Sequence, residues 1–99
     1  MKTYDGNFPI GVHPGEILRE MIEESGITQV KLARHLRMDP AKINEICKGR
    51  RGVSAEMAIA LAKAFGISAS TWMNLQKNWE LSQVDESAFK YVEPLKLRA

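Results

Sequence analysis

The sequence is short of cysteine and of long apolar runs, and each lack excludes a class of protein. The single cysteine, Cys47, cannot form a disulfide within the chain, which argues against a disulfide-stapled secreted domain and favours a cytoplasmic protein. No apolar stretch approaches the roughly 20 residues of a membrane-spanning helix, and the first residues do not resemble a signal peptide. We therefore expect no membrane partner.

The sequence also lacks the residue sets of a catalytic or metal site. His13 and His35 are far apart and have no Cys, Asp or Glu at ligand spacing, so we expect no metal and no cofactor. No Ser-His-acid set, Gly-rich phosphate loop or pair of inward carboxylates can be assembled. We predict that the protein is not an enzyme and has no catalytic residues.

The chain nevertheless has enough apolar residues for one folded domain. With 99 residues, 44% of them hydrophobic, it needs neither a disulfide nor a structural metal to form a core. A domain of this length buries roughly 60 to 70% of its unfolded surface.

Charge is distributed unevenly along the chain, although the net charge is only +2. Residues 27–52 carry seven Lys and Arg against two Asp and Glu, an excess of +5, whereas residues 1–26 carry two against five, an excess of −3. A local basic excess is typical of a surface that contacts a polyanion, and the alternative is a solvated basic face.

Helical periodicity begins at Pro14 and continues in five segments to about Ser82. The first segment should end near Ser25, because Gly26 suits the left-handed conformation that closes a helix. We expect the next helices to be capped by Thr28, Asp39, Ser54 and either Ser68 or Ser70. The pattern predicts an all-helical bundle over residues 13–84, flanked by an N-terminal arm (1–12) and a tail (85–99) that is either disordered or a strand that pairs across a dimer.

Residues 29–48 have the layout of a helix-turn-helix. The positions where two crossed helices need apolar or small side chains are occupied by Leu32, Ala33, Leu36, Met38, Ile43 and Ile46. A tight corner in any helical protein, including an interaction adaptor that does not bind DNA, satisfies part of this pattern. The basic residues that follow it favour DNA, because they lie where side chains can reach phosphate.

At these residues the sequence resembles a known family. TQVKLARHL followed by INEICKGRRGVSAEMAIALAKAFG is similar to the Xre-type (phage-repressor-like) helix-turn-helix, and HPGEILREMIEESG and WMNLQ around it resemble the HigA-type antitoxins. The resemblance implies an all-α, five-helix, lambda-repressor-like fold. It also implies a homodimeric antitoxin that represses its own operon and neutralises a HigB/RelE-like mRNA-cleaving toxin. The alternative is a stand-alone Xre-type regulator without a toxin partner.

One residue departs from the pattern of the superfamily. Arg37 occupies a turn position that usually holds Gly, because the residue there tends to adopt a positive φ. A non-glycine residue with this backbone costs on the order of 1 kcal/mol. Either Arg37 carries this cost or the turn has a different geometry.

The resemblance also implies which residues contact DNA. Thr28 and Gln29 at the start of the first motif helix, together with the basic residues Lys48, Arg50 and Arg51, are expected to contact phosphate. The second helix is expected to present Pro40, Ala41, Lys42, Asn44 and Glu45 to bases in the major groove. Lys42 suits guanine, Asn44 adenine, Ala41 the thymine methyl group and Glu45 cytosine N4, whereas Pro40 only shapes the approach.

Two partners besides DNA are expected. A homodimer would bind a palindromic operator, because two-fold protein symmetry requires a two-fold site, and we expect helix five and the tail to form the dimer surface. The acidic first helix, through Glu16, Glu20 and Glu23, is the expected surface for a basic toxin.

Overall fold

In a computed structural model, which describes residues 11–97, the chain forms five α-helices and no strand. The helices are α1 (Pro14–Ser25), α2 (Gln29–Leu36), α3 (Pro40–Cys47), α4 (Ala55–Phe65) and α5 (Ala69–Ser82), followed by a 3-10 turn at Glu86–Phe89. The predicted all-α, five-helix bundle is confirmed. Most of the predicted N-terminal arm lies outside the described residues, and no helix within 11–97 is long and apolar enough to cross a membrane.

Each helix begins at a side chain that accepts a hydrogen bond from its first turn, as helix N-termini require. The predicted caps Thr28, Asp39 and Ser54 accept from backbone N–H groups at 2.9 to 3.2 Å. Of the two serines predicted for α5, Ser68 is the cap, accepting from the Thr71 N–H at 3.2 Å. His13 caps the N-terminus of α1, because its Nδ1 accepts from the Gly15 N–H at 2.8 Å. The sequence rules did not identify this cap.

The core is continuous through all five helices. Its largest fully buried apolar side chains come from every helix and comprise Leu18, Leu32, Ile43, Ile46, Met57, Leu61 and Trp72. Trp72 and Leu75 are buried, so α5 packs on the bundle. The inner sides of α2 and α3 therefore pack on the core, and their outer sides face solvent.

α1 and α3 approach each other closely at Gly15. A Cβ atom added at this glycine would overlap with the backbone carbonyl oxygen of Ile46. The absence of a side chain at Gly15 thus allows the two backbones to touch, and it sets the position of α3 on the bundle.

The tail leaves the bundle after α5. Following the 3-10 turn the chain is irregular, and all described residues from Leu81 onward are exposed. The exposed set includes the large apolar residues Val84, Phe89, Tyr91, Val92, Leu95 and Leu97. Within residues 11–97 of the single chain this segment forms no strand, and a strand that pairs across a dimer stays a prediction.

Candidate nucleic-acid interface

The corner between α2 and α3 has the left-handed backbone that the motif requires. Arg37 adopts φ 56° and ψ 47°, and it is the one non-glycine residue with positive φ among residues 11–97. The N–H of Met38 donates to the Ala33 carbonyl oxygen at 2.8 Å, which closes the end of α2. The turn thus keeps the family geometry despite the arginine, at the backbone cost expected from the sequence.

Burial between α2 and α3 follows the predicted positions. Leu32, Ala33, Ile43 and Ile46 are buried, and Ala33 has no exposed surface at all. Leu36 is half-buried, as is Met38, and both pack against the core edge. The two helices therefore cross at a small residue with apolar side chains on each side, as a helix-turn-helix requires.

A hydrogen bond joins the first residue of α2 to the middle of α3. Asn44 Nδ2 donates to Gln29 Oε1 at 3.1 Å, and both side chains are half-buried. The bond leaves the second Asn44 N–H and its Oδ1 available, together with the Gln29 amide N–H groups. The structure thus brings together a residue predicted to bind phosphate and one predicted to bind a base.

The remaining residues predicted to face bases line the same surface. Pro40 and Ala41 are exposed at the first turn of α3, and Lys42 and Glu45 are half-buried further along it. Thr28 is exposed beside them, and its Oγ1 accepts from Lys31 N–H at 3.0 Å as the α2 cap. Thr28 is thus both the predicted cap of α2 and a residue predicted to contact phosphate.

The loop after α3 presents the basic residues. Gly49 takes φ 75°, its N–H donates to Ile46 O at 3.0 Å, and Arg50 N–H donates to Glu45 O at 2.9 Å. This pair of bonds is the Schellman ending of a helix, which turns the chain sharply back. Lys48, Arg50 and Arg51 are all exposed on this turn, and the Arg51 side chain forms an ion pair with Glu45.

The basic loop is anchored by a residue of α5 that lies outside the helix-turn-helix. Gln76 is buried, and its Oε1 accepts from the Val53 N–H at 2.7 Å. Gly52 lies against the same amide, since a Cβ added there would come within 2.7 Å of Gln76 Nε2. Sequence reasoning assigned Gln76 only to the inner side of α5, and its position within the WMNLQ motif was the one available signal.

Two titratable groups behind this surface are held in their neutral forms. Burial lowers the pKa of His13, although the nearby Glu16 raises it by a smaller amount. The ring of His13 meets Trp79 of α5 edge to face, with centroids 4.7 Å apart. Burial raises the pKa of the Cys47 thiol, against a smaller opposing effect of Arg19, so this cysteine is an unreactive core residue.

The acidic residues predicted to bind a toxin lie on α1. Glu16 and Glu23 are exposed and Glu20 is half-buried. Their spacing of four and three residues puts them on one side of the helix, opposite the buried stripe of Ile17, Leu18 and Met21.

The arrangement described above defines a DNA-binding protein of the helix-turn-helix class. The helix-turn-helix family model matches residues 18–72, which include all of α2 and α3.

Solved and curated relatives are similar over most of their length. The antitoxin HigA of Pseudomonas aeruginosa, solved with the higBA promoter, is 40% identical, with a TM-score of 0.79 over 87% of this chain and 99% of that one. Virulence-associated protein I of Dichelobacter nodosus is 37% identical over 85% of this chain and 81% of its own. An uncharacterized transcriptional regulator of Escherichia coli, YddM, is 30% identical over 75% and 79%.

The chain belongs to the HigA-type antitoxins of the Xre-like helix-turn-helix family. This membership confirms the resemblance drawn from the sequence motifs. The family comprises DNA-binding proteins and not enzymes, in agreement with the sequence-based prediction.

Proposed function

We propose that this protein is a homodimeric antitoxin that binds a palindromic operator, represses its own operon and neutralises a HigB/RelE-like mRNA-cleaving toxin. The observation that carries the DNA-binding part is the Gln29–Asn44 hydrogen bond, which joins the first residue of α2 to the middle of α3 between two half-buried side chains. A cytoplasmic location, as expected from the sequence, is part of the same proposal.

The proposed contacts with DNA fall into two sets. The N-terminal half of α3 enters the major groove, and the residues we propose to contact bases are Pro40, Ala41, Lys42, Asn44 and Glu45. The residues we propose to contact phosphate are Thr28, Gln29, Lys48, Arg50 and Arg51. All of the phosphate set except the half-buried Gln29 are exposed, which supports this assignment.

A salt titration tests the DNA-binding part. If each monomer neutralises three or four phosphates, log affinity for the protein's own promoter should fall against log salt with a slope of roughly −5 to −7. Replacing Lys48, Arg50 and Arg51 together by Ala should reduce both the affinity and the slope, because these side chains supply the phosphate contacts. A slope shallower than about −2 would contradict this mode of binding.

The toxin-binding part rests on the acidic outer side of α1. We propose that Glu16, Glu20 and Glu23 bind a basic toxin encoded beside this gene, because opposite charges steer association and fix the register of a complex. Co-expression with the product of the adjacent gene should yield a stable complex in size-exclusion chromatography and relieve its toxicity. Reversal of the three glutamates to Lys should abolish the complex while promoter binding persists.

The second candidate is a stand-alone transcriptional regulator, which the likeness to the Escherichia coli regulator favours. It shares the DNA surface and differs only in having no toxin partner. Specific binding to its own promoter, without a complex with the adjacent gene product, would favour this candidate over the antitoxin.

A further inference from the structure

An ion pair joins a proposed base-reading side chain to a proposed phosphate-binding one. Arg51 Nε donates to Glu45 Oε2 at 2.8 Å, and the two side chains are 47% and 44% exposed. A pair this open to water contributes little to folding, because solvent and salt screen it. The pair therefore matters for surface charge, because the Arg51 guanidinium compensates the negative charge of the Glu45 carboxylate.

The backbone after α3 sets the geometry of this pair. The Schellman ending at Gly49 reverses the chain, and the Arg50 N–H bonds to the Glu45 carbonyl oxygen. Arg51 is thereby carried back beside the last turn of α3. The neighbouring Arg50 has the same charge, but its hydrogen bond to Glu45 is made by the backbone and persists in an alanine variant.

The ion pair leaves hydrogen-bonding groups available on both side chains. It uses one of the two carboxylate oxygens of Glu45 and one of the five N–H groups of the Arg51 guanidinium. Glu45 Oε1 is left as an acceptor, and the Arg51 Nη atoms are left as donors. One DNA complex can thus use Glu45 at a base edge and Arg51 at a phosphate without breaking the pair.

We infer that Glu45, with its charge compensated by Arg51, is the residue that rejects non-cognate DNA, an inference that rests on the proposed function. Opposite cytosine the carboxylate accepts from the N4 amino group, whereas opposite guanine O6 and N7 or thymine O4 it meets only acceptors. At such sites the Glu45 carboxylate has no hydrogen-bond donor and lies close to phosphates of the same charge. This repulsion weakens binding to non-cognate DNA. Arg51 keeps this repulsion from preventing binding to the correct site.

Two predictions distinguish a coupled Glu45–Arg51 pair from two side chains that contact DNA independently. Glu45→Gln removes the charge and keeps the size of the side chain, so it should strengthen binding to non-cognate DNA and reduce discrimination. Arg51→Ala removes a phosphate contact and also leaves the Glu45 charge uncompensated. The arginine should therefore matter more when Glu45 is present than when glutamine replaces it.

The test is a double-mutant cycle measured by fluorescence anisotropy at one salt concentration. Wild type, E45Q, R51A and E45Q/R51A are titrated with a duplex from the protein's own promoter and with a scrambled duplex. We expect E45Q to bind the scrambled duplex at least about threefold more tightly and to lose about tenfold or more of its preference for the promoter. We expect R51A to weaken promoter binding about fivefold more in the wild-type background than in E45Q.

Arg50→Ala is the matched control, because it removes the same charge from the adjacent position without touching the ion pair. Its loss of affinity should agree within about twofold in the two backgrounds. Circular dichroism checks the fold of each variant, and Glu45→Ala supplies a second neutral replacement for the same cycle.

The inference would be overturned if R51A lost the same promoter affinity in the wild-type and E45Q backgrounds and E45Q kept the wild-type preference for the promoter duplex. DNA binding itself would then still stand. A wild-type protein that does not prefer its promoter over the scrambled duplex would instead overturn the proposed function, and the inference with it. The two failures are therefore distinguishable.

Discussion

At the scale of single residues, two positions in the first turns of the bundle set how α1 sits on its neighbours. Gly15 allows the α1 backbone to touch α3 at Ile46, and His13 caps α1 while packing edge to face on Trp79 of α5. Both residues act across long distances in sequence. Gly15 thus sets the position of α3, and His13 joins α1 to α5, although neither residue belongs to the helix-turn-helix.

We predict that Gly15→Ala lowers the free energy of unfolding by about 2 to 3 kcal/mol, because the added methyl group overlaps with the Ile46 carbonyl oxygen. Helix propensity alone would predict a gain of roughly 0.5 to 1 kcal/mol for this change. Urea denaturation measures the difference. Gly26→Ala is the control, since Gly26 has no atom near its would-be Cβ and should cost only about 1 kcal/mol from its positive φ.

We predict that His13 makes the protein less stable as the solution becomes acidic. Its pKa in the fold is below the usual 6.5, so the unfolded chain binds the proton more readily. Its stabilising contribution is complete above pH 6.5 and is lost as the pH falls from there toward the lowered pKa. Protonation also removes the lone pair of Nδ1 that accepts from the Gly15 N–H.

Urea melts across this pH range measure the effect of His13. In His13→Asn, which keeps a good N-cap without a titrating group, the dependence of stability on pH should flatten. His35→Asn, at an exposed site on α2, replaces the other histidine of the chain and is the matched control. An unaltered pH dependence in His13→Asn would contradict the assignment.

At the scale of elements, the surface that we propose to bind DNA depends on α5 as well as on the helix-turn-helix. Gln76 holds the backbone of Val53 and thereby the end of the loop that carries Lys48, Arg50 and Arg51. A buried backbone N–H that loses its partner costs about 1 to 3 kcal/mol, so this bond constrains the loop strongly.

We predict that Gln76→Leu lowers the free energy of unfolding by about 1 to 3 kcal/mol, because it leaves the Val53 N–H unpaired. It should also weaken promoter binding and make its salt dependence shallower, since the basic loop is no longer held in place. Chemical denaturation and anisotropy titrations measure the two effects. Asn78→Leu, an exposed change on the same helix, is the control, and equal behaviour of the two variants would exclude this anchoring function.

At the scale of the whole molecule, the chain divides into a bundle with a closed core and a tail with exposed apolar side chains. Phe89, Tyr91, Val92 and Leu95 lie at the surface of the isolated chain, more than half exposed in each case. An apolar surface of this kind is typical of an interface. It supports the proposal that the tail, with α5, forms the dimer surface.

We predict that a chain ending at Val84 is monomeric, because it lacks the apolar tail, and that it retains the helical content of the bundle. Sedimentation and circular dichroism measure the two properties. Its affinity for a full palindromic operator should fall toward that for a half-site, whose centre lies about 34 to 36 Å from its mate in the intact site. A truncated chain that remains dimeric would assign the interface to another surface.

Much of the fold follows from rules that act over a few residues. The predicted caps and Pro14 marked where the helices start, Gly26 marked the end of α1, and the spacing of Leu32, Ala33 and Ile43 predicted the crossing of α2 and α3. The left-handed turn at Arg37 was also among the expected geometries. The sequence by itself therefore determined the helices and their order, because caps and periodicity depend on residues no more than four apart.

Tertiary structure alone decided the contacts that connect these elements. Gln76 to Val53 spans 23 residues and Asn44 to Gln29 spans 15, and neither pair is implied by any local rule. The ion pair of Glu45 with Arg51 depends on the chain reversal at Gly49, and the contact of Gly15 with Ile46 depends on how α1 crosses α3. Such contacts form only when the buried faces of all the helices pack together, because packing sets which side chains on separate helices come within reach.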